Sequence, residues 1–242
     1  MILTNKNIYL LLQRILRKES RGNVVSVDDF NRLFPVKVRE RFENRKKEME
    51  RTSDITEDLE RYIRVETLSE SGDGRYAKPD GNGGEEFVKH LGALKPNGDS
   101  YLPVDLITKL EYTSMTSLTK PTERYPVVFY EEGQLVVRPS SVNVEVHYMV
   151  APNVPFLDYH YRNMNIVYLD EGDEVVDDGV NVLKEGSSFP EGNYISETVD
   201  SDMSDNDKLA VLYTMLAEYG VTLPDETAIQ YGLSREAKHE QL

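Results

Sequence analysis

Residues 142–150 constrain the fold more than any other stretch. Val142, Val144, Val146, Tyr148 and Val150 alternate without a break with Asn143, Glu145, His147 and Met149. A period of two puts the apolar set on one face of a strand. A lone strand is unstable, so the chain must supply neighbours for its edges and a layer for its apolar face. Neighbours are legible upstream. Residues 127–130 and 135–137, joined by Glu131-Glu132-Gly133-Gln134, read as a hairpin with glycine at the turn, closed by Pro139. Residues 101–112 read as a further strand, and Pro152 and Pro155 end the one at 142–150.

Both ends of the chain have the helical period. Ile8, Leu11, Leu12, Ile15 and Leu16 form one apolar stripe opposite Arg14, Arg17 and Lys18, and Gly22 is expected to end that helix. Ser26 and Asp29 resemble a capping box opening a second helix that buries Phe30, Leu33 and Phe34. Pro35 fits the first turn of a third, in which only Val36, Val38, Phe42 and Met49 are apolar. A short helix is expected over 54–63. Near the other end, Ser204 reads as an N-cap with Asp207 three residues on. Leu209, Leu212, Tyr213 and Leu216 form the buried face there, and Gly220 reads as a left-handed stop. A last short helix is expected around Ala228, Ile229 and Tyr231. The fold class is therefore α+β, divided into a helical region 1–65, a Gly-rich linker 66–100, an antiparallel β region 101–155, an acidic loop and β insertion 156–204, and a helical region 205–242.

Charge divides the chain unevenly. Residues 1–64 hold 15 Lys and Arg against 11 Asp and Glu, whereas residues 165–205 hold 12 acidic residues and only Lys184, in a chain of net charge −15. Such an acidic stretch disfavours nucleic acid and membrane surfaces, which are themselves anionic. It reads either as a solvated loop or as an electrostatic face for a basic partner. The helix over 39–51 has its six Lys and Arg nearly matched by four Glu, so its field is too weak for nucleic-acid binding. No run is apolar enough to span a membrane, and the N-terminus lacks the ordered regions of a signal peptide, which predicts a soluble intracellular product or one that leaves the cell by lysis or assembly rather than secretion.

The residues point away from enzymatic chemistry. Zero Cys excludes thiol nucleophiles, disulfides and Cys-based metal sites. His90, His147, His160 and His239 form no ligand spacing, and His147 is expected on the outer face of its strand. Asp170, Asp173, Asp177 and Asp178 resemble a calcium loop in composition, but Asn181 stands where an EF-hand needs Glu. The glycines at 81, 83 and 84 precede Glu85 and Glu86, which would repel phosphate. No catalytic, cofactor or metal residue is predicted. Tyr159, His160, Tyr161 and Arg162 instead read as interface residues, because aromatics and Arg are enriched where proteins meet, and the four aspartates read as interface residues through the acidic face they would offer a basic partner. A non-catalytic protein- or carbohydrate-binding module, monomeric or dimeric, is the alternative, with Phe156, Tyr159, Tyr161 and Tyr168 as its platform.

Some segments resemble a known family. They are Lys120-Pro121-Thr122-Glu123-Arg124-Tyr125-Pro126-Val127-Val128, then Gly133, Val137-Arg138-Pro139, and 146–155 with its Tyr148, Pro152 and Pro155. The opening around 7–12, 21–22 and 29–31 and the closing stretch 209–223 add to them. Together, over roughly residues 1–65, 120–155 and 205–232, they are similar to the head-to-tail connector (neck ring) proteins of crAss-like Bacteroidota phages; 156–204 has no counterpart. The resemblance implies a virion protein, made in the host cytoplasm, forming a ring stacked beneath the portal, twelve-fold, with adaptor-like helical bundles at its ends. Its partners would be copies of itself, the portal and other neck or tail rings, with genomic DNA only passing through the channel and no membrane. The acidic segment would then face either that lumen or a basic neighbouring ring.

Overall fold

The computed structural model describes residues 3–19, 24–52, 57–68, 73–77, 86–97, 100–116, 119–132, 134–176, 178, 180–183 and 194–221. In chain order the elements are α1 (Asn5–Glu19), α2 (Val27–Thr52), α3 (Glu57–Glu60), β1 (Ile63–Leu68), β2 (Arg75–Ala77), β3 (Phe87–Asn97), β4 (Ser100–Leu106), α4 (Lys109–Ser114), β5 (Val127–Glu131), β6 (Gln134–Arg138), β7 (Val144–Val150), β8 (Tyr159–Arg162), β9 (Asn165–Tyr168), β10 (Glu174–Val175), β11 (Asn181–Leu183), β12 (Tyr194–Ile195) and α5 (Asp205–Glu218). The chain is mixed α+β and forms two compact units, one of Met1–Lys47 with Asn153–Leu242, the other of Glu48–Pro152.

The second unit is built on a seven-stranded sheet in the order β1-β7-β3-β4-β5-β6-β2, antiparallel except where β4 meets β5. The strand expected from alternation is β7. It lies between β1 and β3, with Val144, Val146, Tyr148 and Val150 buried. The β5–β6 hairpin forms as expected, pairing Val127 with Arg138 through Glu131 with Gln134. Strand β4 turns the sheet, because residues from Val104 back to Ser100 pair with β3 while Asp105 and Leu106 pair with β5.

Two expectations fail here for local reasons. Phe87–Asn97 lies inside the predicted linker yet is the longest strand in the sheet. Its register shifts twice, between Phe87 and Lys89 and between His90 and Gly92, so inserted residues break the period of two by which a strand is recognised. The strand expected over 101–112 stops at Leu106 and gives way to α4. Thr108 and Glu111 cap each other there, the Glu111 N–H donating to Thr108 Oγ1 at 3.1 Å and the Thr108 N–H to Glu111 Oε2 at 2.6 Å.

In the first unit, α1 buries Ile8, Tyr9, Leu12 and Leu16, and α5 buries Leu209, Val211, Leu212, Met215 and Leu216. Helix α2 is one helix, not two, with Pro35 inside it. Phe30, Phe34, Val38 and Phe42 continue a single stripe past the proline and are at most 1% exposed. Burying each is worth about 1.5–3 kcal/mol, which together outweighs a proline penalty of about 3 kcal/mol. Helix α5 ends in a Schellman motif, with the Gly220 N–H bonded to Ala217 O and the Val221 N–H to Leu216 O, both at 3.0 Å.

A bundle of the terminal helices is not the outcome. These helices share their unit with a three-stranded sheet, β11-β8-β9, and a pair, β10-β12. The acidic segment is accordingly part of the unit, since Leu169, Val175 and Leu183 within it are buried. Side-chain amides tie the layers together. Asn31 exchanges two hydrogen bonds with the backbone of Leu157, at 2.9 and 2.8 Å, and the buried Asn5 amide donates to Val199 O at 2.7 Å. The buried Asp207 carboxylate of α5 accepts from Arg41 of α2 at 2.6 Å. The expected helix stop at Gly22 and the last helix around Ala228 lie outside the described residues.

Candidate functional site

Strands β8 and β9 are joined by a two-residue turn in which Asn163 (φ 49°) and Met164 (φ 64°) are both left-handed, the geometry that lets a hairpin keep its twist. The resulting register sets Tyr159 opposite Tyr168 and Tyr161 opposite Ile166, so three tyrosines share one face. Tyr159 and Tyr161 meet edge to face at 5.8 Å and 83°. From α1, Tyr9 reaches the same place and meets Tyr168 edge to face at 5.0 Å and 65°.

Together with residues 24–28 these rings enclose a cleft of about 340 Å³. Its floor is polar and ordered. The Tyr9 phenol donates to Val25 O at 2.8 Å and accepts from Gln13 Nε2 at 2.8 Å, and Gln13 Nε2 also donates to Val25 O. Gln13 Oε1 is shielded from solvent and has no partner among the described residues. Burial, then the bond with Tyr168, pushes the Tyr9 phenol well above its ordinary value. Burial, then the nearby Asp28 carboxylate, also raises the Tyr159 phenol. The rim carries Arg17 and Asp28, and Gln13, Arg17 and Tyr168 are shared with a neighbouring hollow that Arg14 and Lys18 also line.

The structure separates the predicted interface residues. Tyr159 and Tyr161 line the cleft, but His160 points to the opposite face, is buried, and has Nε2 at 3.0 Å from Asn181 Oδ1. It is a packed histidine rather than a surface one, as strand alternation requires. Arg162 is exposed at the hairpin end, 3.9 Å from Asp178. Asp170 pairs with Lys6 at 2.8 Å, and its N–H donates to Asp173 Oδ2 at 2.8 Å. Asp178 accepts the N–H groups of Val180 and Asn181 at 2.9 and 3.0 Å, which holds its carboxyl below the usual range. Asp177 lies outside the described residues. Phe156 is not a cleft residue; its backbone bridges to Val199.

Other polar groups were not legible in the sequence. Asp158 is fully buried and accepts from the Tyr159 N–H at 2.8 Å, the Glu197 N–H at 3.1 Å and the Tyr194 hydroxyl. One acid among 43 gives no sign of this, and its saturated bonding marks it as structural. In the second unit His147 is half-buried rather than on the surface; Met149, on the same expected outer face, is fully buried, so that face is covered as well. His147 Nε2, both His90 nitrogens and the Tyr130 hydroxyl are shielded without partners among the described residues. Among those residues no group of three or more His, Cys, Asp or Glu is placed to hold a metal, and no helix is long and apolar enough to cross a membrane. No protein-family model and no curated protein matches the chain.

Proposed function

We propose that the chain is a structural subunit of a virion neck, closing into a homo-oligomeric ring, twelve-fold, that joins the capsid portal to the tail. The observation that carries this reading is Met164. It is 98% exposed at the tip of the β8–β9 hairpin and held at φ 64°. The left-handed backbone there serves the turn, but an apolar side chain so exposed gains nothing from the folding of its own subunit. It gains burial if the tip inserts into a neighbour. Val180 and Val182 are also exposed in the same sheet region, which enlarges the apolar surface on offer.

A closed ring needs a second, different patch on each subunit. The outer stripe of α2 supplies a candidate, where Pro35, Val36, Arg39, Glu43 and Lys47 line an open groove with Val36 exposed. The likeness of the sequence to neck-ring proteins supplies the assembly, with the portal and other neck or tail rings as partners and DNA in passage. Light scattering of the purified chain and mass spectrometry of purified virions test it. The expected result is a large ring that Met164→Asp reduces to monomer without lowering the melting temperature, together with recovery of the protein in particles. A monomeric parent chain that is absent from virions removes the reading.

A further inference from the structure

We propose that the tyrosine cleft of the first unit binds an uncharged, hydroxyl-rich ring, one unit of a saccharide, as a role separate from assembly. Its volume of about 340 Å³ falls in the range of small-ligand sites. The class of ligand follows from what the walls offer. Tyr159, Tyr161 and Tyr168 are half-buried, so part of each ring remains open for the C–H face of a sugar. The polar groups are of both kinds, with the Arg17 guanidinium as donor and the Asp28 carboxylate and Gln13 Oε1 as acceptors. A hydroxyl both donates and accepts, so it can satisfy all three.

Gln13 gives the strongest indication. It is 6% exposed, and its orientation is fixed because flipping the amide would set Oε1 against the carbonyl of Val25. Its acceptor is therefore committed, shielded and unpaired among the described residues. Buried polar groups in that state call for a donor.

The competing ligand is a nucleotide strand, since tyrosines beside Arg14, Arg17 and Lys18 suit stacked bases and phosphates. One observation disfavours it. A phosphate would meet Asp28 and Gln13 Oε1, neither of which can donate to it.

The test is saturation-transfer NMR on the full chain. The probes are the methyl glycosides of glucose, galactose, mannose and N-acetylglucosamine, their homotetrasaccharides, and a short oligothymidylate. At least one saccharide is expected to bind more tightly than about 10 mM, with transfer to its ring C–H protons. Tyr161→Ala should weaken it at least about tenfold. Asp28→Asn, at an exposed position that does not risk the fold, should weaken it several-fold. Absence of saccharide binding by the parent chain overturns the proposal, as does binding indifferent to both variants. Binding of oligothymidylate alone, lost in Tyr161→Ala, assigns the cleft to nucleic acid instead.

Discussion

Val146 has no exposed surface and sits on an interior strand of the larger sheet, paired with Glu66 on β1 and Ala93 on β3. Val146→Asp would bury a charge with no counter-ion and should cost about 3–5 kcal/mol. A thermal or urea melt measures it, and an unchanged midpoint would contradict the burial of this strand face. Nearby, burial holds the His90 imidazole below its ordinary value of 6.5, and His147 adds to the effect. The unfolded chain therefore takes up this proton first as pH falls. Stability from neutral His90 is complete above its unfolded value and declines as pH drops below it, toward the lowered folded value. The melting temperature should fall between about pH 7.5 and 5.5, and fall less in His90→Phe. Equal falls in both proteins would assign the dependence to other groups.

At the scale of elements, α2 and β3 show how local signals are overridden. Proline at position 35 marks a helix start in sequence, yet the stripe from Phe30 to Phe42 binds the segments on either side into one helix. Removing the proline's missing bond and ring clash should stabilise what remains. Pro35→Ala is expected to gain up to about 3 kcal/mol, read as a higher urea midpoint at unchanged slope. A loss would show that the ring's own packing in the α2 groove matters more than helix propensity. Strand β3 escaped recognition for the opposite reason, because its two register shifts erase an alternation that pairing with β7 and β4 does not need.

Across the whole molecule, a net charge of −15 opposes compaction, and the acidic segment concentrates it. The segment nevertheless contributes buried Leu169, Val175 and Leu183, and its aspartates shape turns through backbone bonds. Asn can still accept those bonds, so Asp170→Asn, Asp173→Asn and Asp178→Asn together lose mainly the partly exposed Lys6 pair and some self-repulsion. The melting temperature of the triple variant should stay within about 2–4 °C of the parent. If the segment docks to a basic ring, assembly should weaken in the variant and also in the parent as salt rises. The Debye length falls from about 10 Å at 0.1 M to about 3 Å at 1 M. Salt-resistant assembly of both proteins would set docking aside.

The elements that sequence determined by itself are those whose side chains repeat at the period of their backbone. These are β7 with its alternation, the β5–β6 hairpin, α1 with its stripe, and α5 with its Ser204 cap and Gly220 stop, although its buried face takes in Val211 and Met215 in place of the expected Tyr213. In the cleft, sequence named Tyr159, Tyr161 and Tyr168 as aromatics but gave no means of excluding Phe156 and His160 or of adding Tyr9 and Gln13. Only tertiary structure decided that. A strand's alternation sends Tyr159 and His160 to opposite faces, and which face is buried depends on what packs there. Tyr9 and Gln13 lie some 150 residues earlier, and helix packing brings them to the tyrosines where no local period could register it.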